Sequence, residues 1–352
     1  MAGTLSLGRF PSIPSMLDAL IEGTPLSSEE AEAMMNAVFD GETDPALVAG
    51  LLVALRGKGE TDDELTGMVR SMLGHAQRVE LSVPAIDVVG TGGDAKHSVN
   101  ISTMAALTIA GAGMAVAKHG NRSASSSVGA ADVLEALGLA IELTPAQVAS
   151  SIEASGFGFM FAPSFHPAMR FVGPVRKALG VRTTFNFLGP LANPAQPPYF
   201  LLGVGAAEIQ GKVAHALGSN GVFRAWVVRS EDGFDELTTS APSRVIEITG
   251  DGSGAYEQRS FTLDPGSLGF VPSGEAALTG GDVAHNAEVV RSVLAGASGP
   301  IRDAVVLNAA AGLVISGHAE DLVAGIGQAE RSLDEGRAAT VLASAIEASH
   351  AS

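Results

Sequence analysis

Short, largely apolar runs alternate with longer amphipathic segments from residue 85 onward, and this alternation limits the possible folds more than any other feature. Runs of this length are typical of strands that are buried on both faces of a sheet. Strands separated by helical segments pair in parallel, because the helix returns the chain to the same end of the sheet. The sequence therefore predicts an α/β domain over residues 81–352 with a central, mostly parallel sheet. The predicted strands lie at residues 85–89, 114–117, 157–162, 199–204 and 225–228.

The first 80 residues carry signals for helices only. Ser27 precedes Glu30, and Thr61 precedes Glu64, at the spacing of a capping box, in which each side chain caps a backbone amide at a helix start. Apolar residues then recur at helical spacing. This part of the sequence predicts a small helical domain over residues 1–80.

Composition and charge exclude several classes of function. The chain has no cysteine, so disulfides, zinc–thiolate sites and cysteine nucleophiles are excluded. Its formal net charge of −17 argues against nucleic-acid binding that depends on a basic surface. The N-terminus does not read as a signal peptide, and no apolar run reaches the roughly 18 residues needed to span a membrane. We therefore expect a cytoplasmic protein with small-molecule substrates and with neither a nucleic-acid nor a membrane partner.

A glycine-rich loop follows the first predicted strand, with the sequence Gly90-Thr91-Gly92-Gly93-Asp94. Glycines leave the backbone amides unshielded and free to adopt positive φ angles, which is the geometry of an anion-binding loop. Ligands of open parallel sheets bind at the carboxyl ends of the strands, where this loop falls. Taken alone, the pattern is equally compatible with a tight turn between a strand and a helix.

Two further polar stretches follow strands or begin helices in the same region. Ser102 stands near the start of the next helix, where it can act as the N-cap and where free amides can face an anion. Lys118, His119, Asn121 and Arg122 come directly after the second predicted strand. So many donors at the carboxyl edge of a sheet indicate a binding site rather than a structural turn.

An acidic pair and a cluster of basic residues complete the candidate site. Asp235 and Glu236 follow the last predicted strand, and adjacent carboxylates beside a phosphate loop are typical ligands of Mg²⁺. A solvated surface pair is the alternative for them. Arg176 lies near Lys177 and Arg182, and its guanidinium suits a carboxylate, although a surface ion pair is the favoured explanation of a lone arginine on a helix.

Together, these stretches resemble the anthranilate phosphoribosyltransferase family. The resemblance runs in order along nearly the whole chain, and KHGNR with the acidic pair is its most specific part. Two positions depart from the family pattern: Ser127, where a basic residue is frequent, and Met169, where an aromatic residue sometimes stands. The matching segments are GTGGD at 90–94, VNIST at 99–103, KHGNR at 118–122, ADVLEALG at 131–138, FAPSFHPAMR at 161–170, VRTTFNFLGPLANP at 181–194, DGFDELT at 232–238 and RDAVVLNAAA at 302–311.

The resemblance implies a reaction, a cofactor and an assembly. The reaction would transfer the phosphoribosyl group of phosphoribosyl pyrophosphate (PRPP) to the amine of anthranilate in tryptophan biosynthesis. It would give N-(5-phosphoribosyl)anthranilate and pyrophosphate, with two Mg²⁺ ions as cofactors. The family also implies a homodimer, formed through a helical domain that residues 170–191 complete, and an active site in the cleft between the two domains.

The resemblance also implies roles for individual residues. No general base is required, because the aromatic amine is neutral at pH 7, and Lys118 and Arg176 would support the transition state. The residues implied for PRPP are Gly90, Thr91, Gly92, Gly93, Asp94, Ser98, Asn100, Ser102, Thr103, Lys118 and Ser126. Those implied for anthranilate are Gly90, His119, Asn121 and Arg176, and those implied for the metal are Ser102, Asp235 and Glu236.

Two alternatives stay open at this point. A pyrimidine nucleoside phosphorylase has a similar fold, but it lacks the acidic pair and carries a different lysine–histidine–serine phosphate motif. A non-catalytic relative that binds nucleic acid or a protein would show eroded phosphate motifs and a basic groove. The intact motifs and the acidic charge of this chain weigh against both.

Overall fold

The N-terminal part of the protein is a bundle of four helices. The computed structural model describes residues 7–123 and 128–351. The two predicted capping boxes are present, with Ser27 and Thr61 each capping the start of a helix. The helices are α1 (Ile13–Ile21), α2 (Ser28–Phe39), α3 (Pro45–Lys58) and α4 (Asp62–Gly74).

The rest of the chain forms a seven-stranded sheet with the order β3-β2-β1-β4-β5-β6-β7. The first five strands in this order are parallel, whereas β6 and β7 are antiparallel additions at one edge. This confirms the predicted mostly parallel sheet, although neither β6 nor β7 was among the five predicted runs. The strands are β1 (Ile86–Gly90), β2 (Val116–Gly120), β3 (Phe157–Phe161), β4 (Tyr199–Gly203), β5 (Arg224–Ser230), β6 (Ser243–Gly250) and β7 (Tyr256–Leu263).

Helices cover both faces of the sheet. On β4, Leu201 packs into one apolar cluster, while its neighbours Phe200 and Leu202 pack into another on the opposite face. The uniformly apolar character of the strands therefore reflects burial on both sides. The helices are α5 (Ile101–Gly111), α6 (Ala130–Ala136), α7 (Pro145–Ser155), α8 (Ala162–Phe165), α9 (Gly173–Leu179), α10 (Phe185–Leu188), α11 (Ala207–Ser219), α12 (Val283–Leu294), α13 (Pro300–Ile315), α14 (Leu322–Asp334) and α15 (Arg337–His350), with 3₁₀ turns at Pro167–Phe171, Gly189–Leu191, Pro265–Leu268 and Glu275–Leu278.

The segment from α9 to the turn at Gly189–Leu191 packs against the helical bundle. Val172, Phe185 and Leu188 belong to the same apolar cluster as Met34 of α2. This packing supports the prediction that residues 170–191 complete the helical domain, which stays a prediction together with the boundary at residue 80.

Within the described residues, no helix combines the length and the apolar character that a membrane span requires.

Candidate active site

A cavity of about 350 Å³ opens at the carboxyl ends of the parallel strands, beside helices α9 and α10. It brings together side chains and loops that are far apart in sequence. Of the predicted residues, Thr103 is fully buried and does not line it, and Ser126 and Ser127 lie outside the described residues. The predicted residues that line it are Gly90, Thr91, Gly92, Gly93, Asp94, Ser98, Asn100, Ser102, Lys118, His119, Asn121, Arg176, Asp235 and Glu236.

The glycine-rich loop begins where β1 ends, at Gly90. Gly92 and Gly93 have φ angles of +64° and +76°, which residues other than glycine adopt only with strain. The Gly92 amide donates to Asp235 Oδ2 at 2.6 Å, although the two residues are 143 positions apart. The loop therefore lies directly against the acidic pair.

The helix after this loop begins differently from the prediction. Helix α5 begins at Ile101 with Asn100 at the N-cap position, and no side chain caps it. Ser102 is therefore a residue of the first turn, and the prediction that it caps the helix was wrong. The reason is that the chain already turns at Asn100, whose side chain donates to the Val128 carbonyl instead. The Ser102 amide hydrogen-bonds Glu236, so this carboxylate lies at the positive end of the helix.

The second predicted strand was also placed too early. Strand β2 covers Val116–Gly120, so Lys118 and His119 belong to the strand and do not follow it. The Lys118 side chain is only 1% exposed, and its Nζ donates to the Val88 carbonyl at 2.5 Å and to Ser102 Oγ at 3.2 Å. Burial lowers the pKa of Lys118 to about 8, while Asp87 and Glu236 act in the opposite direction. A cation is thus held at the cavity by backbone and hydroxyl oxygens.

Three carboxylates, those of Asp94, Asp235 and Glu236, converge at the cavity. Burial and the nearby charge of Asp94 raise the pKa of Asp235 to about 7, and burial together with both neighbours raises the pKa of Glu236 well above its ordinary value. One oxygen of Asp94, Oδ2, is buried and has no hydrogen-bond partner among the described residues. Such a set of carboxylates is destabilised by its own charge unless a cation or protons neutralise it.

The chemistry of these donors fits Mg²⁺, which prefers oxygen ligands. In residues 7–123 and 128–351, however, no group of three or more His, Asp or Glu side chains is arranged to hold an ion without other ligands. An ion bound here would need further oxygens from water or from a phosphate. Mg²⁺ at phosphate-transfer sites commonly has this kind of shared coordination.

Two histidines pack against each other at the base of the cavity. The rings of His119 and His166 lie 5.1 Å apart at an angle of 59°. Burial lowers the pKa of both, that of His166 to about 4, so both rings are neutral at pH 7. His119 lines the cavity, and its Nε2 has no partner among the described residues.

Two arginines line the cavity. Arg176 lines the cavity with its guanidinium 5.5 Å from the centre of the Phe185 ring, and partial burial lowers its pKa. Lys177 is exposed and does not line the cavity. Arg182, which was not assigned a role, also lines it and donates to the Gly93 carbonyl at 3.2 Å. Its position near Arg176 and within the motif VRTTFN is the sequence feature that could have indicated its place in the cavity.

We expect the metal-free protein to lose stability as the pH rises, because of Asp235. Its folded pKa, about 7, lies above the ordinary value of 3.8, so between these pH values the folded state binds more protons than the unfolded state. The contribution of Asp235 to the free energy of unfolding is therefore fully present below pH 4, and it is lost as the pH rises through 7 and the carboxyl group ionises. Asp235→Asn should match the natural chain near pH 4 and exceed it by roughly 2–4 kcal/mol at pH 8.

Urea unfolding in the presence of a chelator, at several pH values, would measure this difference. Asp62→Asn, which removes an exposed carboxylate at the start of α4, is the control and should show no such pH-dependent gain. A constant difference between Asp235→Asn and the natural chain from pH 4 to pH 8 would contradict the expectation.

The fold and the cavity define a class of enzyme. A model described as "Glycosyl transferase family, helical bundle domain" matches residues 14–76, and one described as "Glycosyl transferase family, a/b domain" matches residues 82–339. Together they cover most of the chain and meet near the predicted domain boundary. The protein is therefore a glycosyltransferase built from a helical bundle and an α/β domain.

Whole-chain comparisons narrow the class. The anthranilate phosphoribosyltransferase of Thermomicrobium roseum is 49% identical over 328 residues, which cover 93% of this chain and 94% of the relative. The solved structure of the enzyme from Thermus thermophilus superposes with a TM-score of 0.88 at 44% identity, covering 95% of this chain and 99% of that chain. The enzyme from Saccharomyces cerevisiae, solved in complex with PRPP and Mg, superposes with a TM-score of 0.86 at 26% identity, covering 98% and 99%. The chain belongs to the anthranilate phosphoribosyltransferase family, and these matches favour it over the nucleoside phosphorylase.

Proposed function

We propose that the protein transfers the phosphoribosyl group of PRPP to the amine of anthranilate and releases pyrophosphate, as a step of tryptophan biosynthesis. The observation that carries this proposal is the composition of the cavity described above. It combines a glycine-rich loop, a fully buried lysine and a cluster of carboxylates with an unpartnered oxygen among the described residues. These groups suit a substrate with several phosphates and a bound cation.

The donor side would hold PRPP and stabilise the charge that develops on pyrophosphate. The glycine-rich loop at residues 90–93 and the Ser102 hydroxyl would bind phosphate oxygens, and Lys118 would supply a positive charge at a place from which water is largely excluded. Such a preorganised charge is worth more in a dry site than in water. Asp235 and Glu236, with Ser102, would hold Mg²⁺, which as a Lewis acid neutralises the leaving group.

The acceptor side would bind and orient anthranilate. Arg176 offers a planar guanidinium for the carboxylate, while His119 and Asn121 would orient the ring and the amine near Gly90. The lowered pKa values make both histidines weak bases, which fits a reaction in which the attacking amine needs no strong base. Alignment of two bound substrates in one cavity is itself a large contribution to the rate.

On the same family grounds, we propose a homodimer, a cytoplasmic location and two Mg²⁺ ions. The apolar packing of residues 172–192 on the helical bundle supports the proposed extent of the domain that would form the dimer. Sedimentation would test the dimer, and a Mg²⁺ titration that is followed by calorimetry in the presence of PRPP would count the ions.

The proposed reaction is tested by mixing the purified protein with anthranilate, PRPP and Mg²⁺ and following the loss of anthranilate fluorescence. We expect decay that requires all three additions and stops with a chelator. The absence of decay from folded protein would overturn the assignment of anthranilate as acceptor. Release of thymine from thymidine and phosphate would instead support the nucleoside phosphorylase.

Arg176→Gln should raise the KM for anthranilate by roughly 10- to 100-fold and change the KM for PRPP by less than about threefold, since it removes a charge-assisted contact on the acceptor side only. The measurement is steady-state kinetics with each substrate varied in turn. Lys177→Gln is the matched control, because Lys177 is the adjacent cation but is exposed and outside the cavity. An equal change of both KM values in Arg176→Gln would contradict the assigned role.

A further inference from the structure

Strands β1 and β2 are paired over an unusually short distance. Their register contains only the pair Ile86 and Val116, whereas β1 and β4 are in register over their full lengths from Ile86 to Gly90. Beyond Ile86, the carboxyl halves of β1 and β2 are therefore not joined by the regular backbone ladder. Their backbone groups must find other partners, because unpaired groups are costly in a buried sheet.

Buried side chains supply these partners. Asp87 Oδ1 accepts from the His119 amide at 3.3 Å, and Asn193 Nδ2 donates to the Ala117 carbonyl at 2.8 Å. The Val88 carbonyl accepts from Lys118 Nζ at 2.5 Å, as described above. Asp87 is 0% exposed and Asn193 is 1% exposed. Hydrogen bonds from polar side chains thus replace the backbone hydrogen bonds between β1 and β2 at the carboxyl ends of these strands, which face the cavity.

Asp87 and Asn193 also contact each other. Asn193 Nδ2 donates to Asp87 Oδ2 at 2.8 Å, and Asn193 Oδ1 accepts from the Ala195 amide at 2.9 Å. Every polar atom of the Asn193 amide group is therefore engaged in a defined direction. The contact joins two parts of the chain that are 106 residues apart.

This contact links strand β1, which leads into the glycine loop, to the segment that follows the turn Gly189–Leu191. Asp87 precedes the glycine loop by three residues on β1, and Asn193 follows the 3₁₀ turn whose Gly189 and Pro190 line the cavity. His119, on β2, donates from its ring to the backbone of Gly189. We call His119 with the turn Gly189–Leu191 the acceptor wall.

We propose that Asp87 and Asn193 are positioning residues, which hold the acceptor wall at a fixed distance from the glycine loop. Neither side chain lines the cavity, so neither would touch a substrate. Their effect would come through the backbone of β2 and through the turn before Asn193. A displacement of about 1 Å between two reacting groups can reduce a rate about 100-fold, so a contact that sets this distance has a large effect.

The inference rests on the proposed transfer reaction and is tested in the same fluorescence assay. Asp87→Asn keeps the shape of the side chain but places two amide donors against each other. Asn193→Asp places two carboxylates together at the same contact, and kcat is measured at pH 7 and at pH 9, because a proton shared by the pair at the lower pH would restore one of the lost hydrogen bonds. For Asn193→Asp, which keeps the charge of Asp87 near Lys118, we expect kcat to fall about 10- to 100-fold, with both KM values within about threefold of the natural values, because the groups that bind the substrates are unchanged. Asp87→Asn should lower kcat by a similar factor and should also raise the KM for PRPP, because it removes a charge that favours the protonated state of Lys118.

The double variant Asp87→Asn/Asn193→Asp provides the rescue. The amide that it introduces at position 87 can donate to the carboxylate that it introduces at position 193. The new amide oxygen at position 87 can still accept from the His119 amide, so only the Ala117 carbonyl loses its partner. We expect kcat to return to within about fivefold of the natural value, which is a favourable coupling between the two positions.

Gln210→Glu is the matched control for a purely structural effect. Gln210 is a buried amide on α11 whose Nε2 donates to the carbonyls of Val227 and Arg244 at 3.0 and 2.9 Å, away from the cavity. It should lose as much thermal stability as Asn193→Asp and keep its kcat per folded molecule. If Asp87→Asn does not fold, Asn193→Asp carries the test alone.

The possible outcomes separate the two proposals. A lower kcat in Asn193→Asp at native circular dichroism, with Gln210→Glu unaffected and the double variant restored, would support the positioning role. An unchanged kcat in folded Asn193→Asp, or a double variant no faster than the single ones, would overturn it. No turnover by the natural chain would overturn the proposed function and this inference with it.

Discussion

Asp235→Asn combined with Glu236→Gln is expected to reduce the transfer rate at least about 1,000-fold, while the metal-free protein becomes more stable. The rate falls because the carboxylates would no longer hold the cation that neutralises the leaving group, and single groups of this kind commonly contribute roughly 100- to 1,000-fold. Stability rises because burial and mutual repulsion raise the pKa values of both carboxyls, so their charges cost free energy in the folded state.

Activity in the fluorescence assay and thermal unfolding in a chelator would measure both effects on the same preparation. Asp62→Asn with Asp63→Asn is the matched control, since it removes the same amount of charge from another adjacent acidic pair that is exposed at the start of α4. The control should keep its activity and gain no stability. Activity within about tenfold of the natural chain in the Asp235/Glu236 variant would refute a role for these residues in the reaction.

Lys118→Met is expected to lower kcat/KM for PRPP about 100- to 1,000-fold, with little change in the KM for anthranilate. Methionine nearly fills the space of the lysine stem but removes a charge that is almost fully buried at the cavity. Since removing one preorganised donor commonly costs about 100-fold or more, the loss of a full charge beside phosphates should have an effect of at least this size. Stability should change little, because relief of the buried charge, which lowers the pKa of Lys118, is offset by the loss of the hydrogen bond to the Val88 carbonyl.

Steady-state kinetics with each substrate varied would separate the two KM values. Lys212→Met is the control, since it removes a lysine charge from α11 outside the cavity, where Nζ donates to the Glu60 carbonyl at 2.6 Å. The two variants should unfold at similar temperatures and differ only in the kinetics toward PRPP. Equal losses of kcat/KM in both would show that net charge alone, rather than its place, is responsible.

Local signals in the sequence were sufficient where structure depends on neighbouring residues. The capping boxes at Ser27 and Thr61 were predicted because their partners lie three residues away. Five parallel strands were predicted because burial on both faces requires nearly continuous apolar runs. The positive φ angles of Gly92 and Gly93 in the glycine loop were foreseen because glycine adopts them without strain, whatever lies elsewhere in the chain.

Other features were predicted wrongly or not at all, because their cause lies elsewhere in the chain. Strand β2 extends through Lys118 and His119, which look like loop residues until Val88 and Ser102 provide oxygens for the lysine. Apolar and polar residues alternate less clearly along strand β6, which was not predicted. This strand carries the buried Glu247, which arginines on β5 and β7 neutralise. Propensity and periodicity do not report such distant partners.

The sequence by itself determined the class of fold, the five parallel strands and the family, since these depend on local periodicity and on motifs that are contiguous in the chain. Only the tertiary structure decided which charges face one another. Asp94 meets Asp235 from a distant part of the chain, and Asn193 reaches Asp87 in the split between β1 and β2. The physical reason is that the pKa of a buried group and the direction of a hydrogen bond depend on atoms within a few ångströms. Distance along the chain says little about which atoms those are.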